Sequence, residues 1–146
     1  MYAPVRGAII VSVFVILAAF SGCGGGGSAS SADTSANSLS GGETALPVKT
    51  LSWEAPSSYS NGTPMTPLLD LDRFEVYLNE SGSFNGSDVP QAILSAVDPL
   101  THQLTTSFNL SNIPALTSGV QYWVTLRAVS RTGIKSDFSA PASFSF

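Results

Sequence analysis

The sequence predicts a small all-β domain, two sheets packed as a sandwich, behind an export segment and a flexible tether. Three observations carry that prediction. Short runs alternate apolar and polar residues, Gly, Pro and Asn clusters separate them, and no window outside Gly7–Phe20 shows a helical apolar stripe. A length of 146 residues suits one domain plus an appendage. The boundaries read as 1–22 for the export segment, 23–42 for the tether and 43–146 for the domain.

Met1 to Arg6 carries one positive charge, and Gly7 to Phe20 is an uncharged apolar run of 14 residues. A spanning helix needs about 20 such residues, so the run fits the core of a signal peptide. Phe20-Ser21-Gly22-Cys23 follows at once and resembles the lipobox of bacterial lipoproteins, although Phe20 stands where Leu is usual. The resemblance implies cleavage before Cys23, diacylglycerol on its thiol and acylation of the new amino terminus. Several acyl chains hold such an anchor firmly, at about 0.8 kcal/mol per buried methylene. The competing reading is an uncleaved N-terminal anchor with an incidental Cys23. Gly24 follows the cysteine where Asp would signal inner-membrane retention, which points to the outer membrane or its periplasmic face in a two-membrane host. In other hosts the expected location is the outer cell surface. Residues 24–42 contain a single apolar residue larger than Ala, Leu39, and cannot bury enough surface to order themselves. That tether spans about 25 Å as a random coil.

From Leu46 the texture changes. Val48 to Trp53 reads as a strand closed by Ala55-Pro56, and Ser57 to Pro67 as a loop. Arg73 to Asn79 alternates, with Phe74, Val76 and Leu78 on one face and Glu75 and Tyr77 on the other. Leu104, Thr106, Phe108 and Leu110 repeat the pattern. Tyr122, Val124, Leu126 and Ala128 repeat it again, with Trp123, Thr125, Arg127 and Val129 opposite, and the chain ends on Phe144 and Phe146. Glu43 to Pro47 offers little for a first strand. The stretches Ser57–Asp72 and Glu80–His102 read as long loops.

Four segments, in order, resemble fibronectin type III domains. Leu51-Ser52-Trp53-Glu54-Ala55-Pro56 is similar to their second strand, and Phe74-Glu75-Val76-Tyr77 to their third. Leu116-Thr117-Ser118-Gly119-Val120-Gln121-Tyr122 resembles their tyrosine-bearing corner, with Ser118 where Pro is usual, and Leu126 to Ser130 continues it. The resemblance implies an immunoglobulin-like sandwich with Trp53 and Tyr122 in its core and the Tyr122 hydroxyl bonded to backbone a few residues upstream. Ile113-Pro114-Ala115 precedes Leu116, and either Ile113 or Leu116 could fill the apolar position of that corner.

Composition narrows the function. The chain has 6 Lys and Arg against 10 Asp and Glu, a net charge of −4. Loss of Arg6 on cleavage would make it more acidic still, so nucleic acid is not an expected partner. One Cys excludes an internal disulfide, and one His excludes a multi-His metal site. No catalytic residues, metal or cofactor are expected. His102 is the only base for a Ser-His-Asp arrangement, and no nucleophile elbow accompanies it. Asp70 and Asp72, with Asp98 or Asp137, read as solvated carboxylates flanking a strand rather than as calcium ligands.

The expected binding face is the outward side of two neighbouring strands, with Tyr77 and Glu75 on one and Trp123 and Arg127 on the other. The alternative is that these residues only cover the sheet. The sequence therefore points to a non-catalytic interaction or spacer module at the cell envelope, held by the membrane anchor, with a protein or polysaccharide partner. A carbohydrate-associated module is the first alternative and a hydrolase using His102 the second.

Overall fold

The computed structural model describes residues 46–146. The export segment, Cys23 and the tether lie outside the described residues. The described residues form six strands: β1 (Thr50–Ser52), β2 (Leu71–Asn79), β3 (Ala92–Ser95), β4 (Ser107–Asn109), β5 (Gln121–Ser130) and β6 (Ala142–Ser145). They make two antiparallel sheets, β1 with β4, and β3-β2-β5-β6 in that order. Among the described residues helix is confined to one turn, α1 (Pro67–Asp70), and a 3-10 turn at Leu110–Asn112. The all-β class read from the sequence is the class observed.

Alternation explains why the sheets close on each other. Phe74 and Val76 of β2 and Tyr122, Val124, Leu126 and Ala128 of β5 point to one side, where they meet Leu51 of β1 and Trp53 just beyond it. Trp53 stays in register with the smaller sheet because its N–H donates to the Thr106 carbonyl at 2.9 Å. Its indole meets the Phe74 ring edge-on, with centroids 5.2 Å apart, and so joins one sheet to the other. Met65, Leu110, Ile113, Leu116 and Phe144 close the sides of this core.

The corner before β5 is built around Tyr122. Its ring is buried, and its hydroxyl accepts the Thr117 N–H at 3.1 Å and shares a second bond with Thr117 Oγ1 at 3.0 Å. Gly119 takes the left-handed conformation (φ 82°), which an L side chain resists. Its N–H donates to the Phe146 carbonyl at 3.0 Å, and Ser118 Oγ donates to the same oxygen at 3.2 Å. Ile113 and Leu116 are both buried, so the two candidates for one apolar position share the core. Nearby, Lys49 donates to the Ser145 carbonyl and lies over the Phe144 and Phe146 rings. The chain therefore enters β1 at the same pole at which β6 ends.

Three elements differ from expectation. The stretch Glu80–His102 contains β3, whose Ala92 and Leu94 are half-buried while Ile93 and Ser95 are exposed. Four residues at a sheet edge give too weak a pattern to separate from loop. The stretch Ser57–Asp72 contains α1, opened by Pro67, with Asp70 Oδ2 accepting the N-cap Thr66 N–H at 2.6 Å, and closed where the Leu71 N–H donates to the Pro67 carbonyl. One turn is too short to show a stripe. The strand expected over Leu104–Leu110 is only Ser107–Asn109, because Leu104 bridges Val97 and Thr105 bonds back to Ala96 as the chain crosses between sheets. At the start, Leu46 packs partly on the core, Val48 is exposed, and β1 has no partner on its far side among the described residues.

Trp53→Ala should cost about 3–5 kcal/mol, because it empties the contact between the sheets. Tyr122→Phe keeps the ring, loses the tie to Thr117 and should cost about 0.5–1.5 kcal/mol. Chemical denaturation of the two variants checks the order. A Trp53→Ala protein as stable as the wild type would remove Trp53 from the role given to it here.

Candidate binding face

The outer side of the four-stranded sheet collects the residues that alternation turns away from the core. The register sets Glu75 opposite Arg127, Tyr77 opposite Thr125 and Asn79 opposite Trp123. All four residues expected on this face, Tyr77, Glu75, Trp123 and Arg127, are thus brought together on one side of β2 and β5. Their exposure is another matter. Tyr77 and Glu75 are each only 2% exposed, so the expectation that they stand open on the surface is corrected.

Two connecting segments cover this face. The first is the loop that follows β2. Gly82 lies against the Trp123 indole so closely that a Cβ there would sit 2.9 Å from the ring, and its φ of 73° also favours glycine. Asn79 holds this loop down, its Oδ1 accepting the N–H groups of Ser81 (3.1 Å) and Gly82 (2.7 Å). The second is the stretch between β5 and β6. Phe138 meets Tyr77 edge-on at 5.0 Å and Phe84 at 6.0 Å, while the Arg127 guanidinium lies 4.7 Å from the Phe138 ring centre. Arg127 Nε donates to the Ser136 carbonyl at 2.7 Å, and Ser136 and Ser139 bond the backbone of β5. The aromatics do not stack on each other across the strands, as the simplest covering would have it. Each is capped by its own loop.

Under the second segment sits an ionic cluster. Glu75 Oε1 accepts from Arg73 Nε and Nη2 at 3.1 and 3.0 Å, and Oε2 accepts from the Tyr77 hydroxyl at 2.6 Å and Lys135 Nζ at 2.8 Å. Four donors satisfy a buried carboxylate, which otherwise would not remain charged. Burial pushes the Glu75 carboxyl up, but the bonds from Lys135, Tyr77 and Arg73 outweigh it and hold it below the usual range. Burial, then the bond to Glu75, push the Tyr77 phenol up to about 12.

Lys135, Phe138, Phe84, Gly82 and Arg73 are the site residues that the sequence reading missed. Phe84, a large apolar side chain between turn residues, was the one available sign that the loop folds back on something.

The remaining candidates are placed plainly. Asp70 caps α1, and Asp72 pairs with Arg73 at 2.7 Å. Asp98 accepts the Thr101 and Leu100 amides at 2.8 Å, which hold its carboxyl below its ordinary value. Among the described residues no three His, Cys, Asp or Glu gather as a metal site. His102 is exposed, in a turn at φ 56°.

What remains accessible is half-buried Trp123, Arg127, Phe84 and Phe138, and a shallow cleft of about 210 Å³ among Tyr77, Asn79, Phe84, Asp88, Val89 and Gln91. That is below the volume usual for small-molecule sites, roughly 300–1,000 Å³. No family model, curated protein or solved structure matches the chain significantly.

The cluster predicts a pH dependence. Glu75 releases its proton more readily folded than unfolded, so its contribution is complete above about pH 4.5 and is lost as pH falls through the lower folded value. Tyr77 has the opposite sign, its contribution complete below pH 10 and lost as pH rises through about 12. Denaturation across the acid range should show Glu75→Gln flattening the slope below pH 4.5. An unchanged acid limb would mean that the Glu75 carboxyl is not held below its unfolded value in the fold.

Proposed function

We propose that the chain is a lipid-anchored cell-envelope protein whose fibronectin type III-like domain acts as a non-catalytic interaction or spacer module. The observation that carries the domain reading is the order β3-β2-β5-β6 set against β1-β4, with the Tyr122 hydroxyl tied back to Thr117. That arrangement supports an immunoglobulin-like sandwich with its first strand reduced. The anchor reading rests on sequence alone: a charged start, an apolar run, small residues and the chain's single Cys in the order a lipoprotein signal requires.

The flat, self-covered outer face favours a structural or binding role over catalysis. Trp123, Phe84 and Phe138 are its partly accessible aromatics and Arg127 and Lys135 its cations, and Trp, Phe and Arg are enriched where proteins meet partners. Tyr77 and Glu75 hold the face in shape from beneath. A tether of 19 residues between the anchor and residue 43 would keep the module near the membrane and free to turn.

Cys23 is tested in bacteria fed a clickable fatty acid. The mature protein should carry label and begin at Cys23, and Cys23→Ser should lose the label and release the domain from the membrane. A membrane form retaining Met1 would sink the anchor reading. The face is tested by crosslinking in intact cells. Trp123→Ser should keep a cooperative fold and reduce capture of the partner at least about tenfold, or 1.4 kcal/mol. Equal capture would make the face a cover only.

A further inference from the structure

β3 is an outer strand of the four-stranded sheet, bonded to β2 on one side and to nothing on the other among the described residues. Phe74 opposes Leu94, Val76 opposes Ala92, and in the same register the Ala96 N–H donates to the Asp72 carbonyl at 2.9 Å. Bonded pairs alternate with non-bonded pairs in an antiparallel ladder. Ala92 and Leu94 therefore turn their backbone groups toward β2, as Ala96 does its N–H while its carbonyl accepts the Thr105 N–H at 2.9 Å, and Ile93 and Ser95 turn theirs outward. An exposed edge of this kind is a template for another strand.

Side chains beside the edge add two further properties. Ile93 is 61% exposed and Val89 73%, so apolar surface lies open along it. The stretch from Glu80 to His102 contains Glu80, Asp88 and Asp98 and no Lys or Arg. Asp72, opposite Ala96, is exposed as well. Asp72 is paired with Arg73, and Arg131 lines the same depression as Asp72, Ser95 and Val97. Asp88 and Asp98 lie in no ion pair among the described residues, so the edge is apolar and carries net negative charge at those two positions.

We propose that the open edge of β3 binds an extended basic segment of a partner protein, which adds to the sheet as a further strand. Its backbone meets the outward groups of Ile93 and Ser95. Its apolar side chains pack on Ile93 and Val89, and its Lys or Arg side chains face Asp88 and Asp98. Main-chain bonds supply the attachment and the alternating side chains the selectivity. The opposite charge speeds encounter and rejects acidic segments. This deepens the interaction-module reading and rests on it, but uses a different surface from Trp123, so the two can fail separately.

The test uses the full chain in detergent with a synthetic peptide of alternating Val and Lys. Bound peptide should slow amide exchange at Ile93 and Ser95 at least about tenfold, leaving Ala92 and Leu94, already bonded to β2, little changed. An alternating Val and Glu peptide should bind at least about tenfold more weakly. Ile93→Pro removes an outward N–H without breaking the ladder to β2 and should abolish binding with little change in melting temperature. Methylating alternate amides of the peptide imposes the same loss from the ligand's side, should that variant fold poorly. Unchanged exchange at Ile93 and Ser95, or equal binding of the acidic or methylated peptide, would overturn the proposal. So would self-association of the chain through this edge that Ile93→Pro abolishes, since the occupant would then be a second copy. Equal capture by the Trp123→Ser chain would instead strike the face proposed above and leave this edge standing.

Discussion

The smaller sheet has only two strands of three residues each, so little backbone holds it to the larger one. What joins them is the Trp53 indole set edge-on to Phe74, with Leu51 beside it and Met65, Ile113 and Leu116 around the rim. An aromatic of this size buries roughly 150–250 Å², a large share of what two short strands can contribute. Other features serve to keep that contact in place. The bond from Trp53 N–H to Thr106 extends the smaller sheet past the end of β1, and the tie between Tyr122 and Thr117 fixes the corner that leads into β5.

On its outer side the larger sheet carries a second, polar layer with a different logic. Burying Glu75 costs free energy that the fold offsets with four donors rather than by neutralising the acid. Two of those partners, Arg73 and Lys135, keep part of their side chains in solvent, where their charge is cheaply held. Lys135 lies 60 residues from Glu75, so the pair fastens the stretch before β6 onto β2. The cluster is better understood as a clasp for a covering segment than as a reactive site.

The alternation of β2 and β5 was plain in the sequence because one face of each is fully apolar, and Trp53 and Tyr122 were identifiable as core residues for the same reason. The membership of the outer face was also legible, since period two assigns Tyr77, Glu75, Trp123 and Arg127 to one side. Their burial was not. It depends on Gly82, Phe138 and Lys135, which come from connections whose path no local pattern encodes. β3 escaped notice because an edge strand with one half-buried side gives a diluted version of the usual alternation.

The close packing of Gly82 on Trp123 has an optical consequence. The chain contains two tryptophans, and they sit in different layers: Trp53 in the core between the sheets, Trp123 half-buried beneath the loop after β2. Intrinsic fluorescence can thus report two events in one molecule. Lifting of the loop would redden Trp123 emission while Trp53 stays dark to solvent, and only loss of the sandwich itself would move both. A chain holding a single indole in each layer needs no attached dye to show whether its outer cover opens before its core.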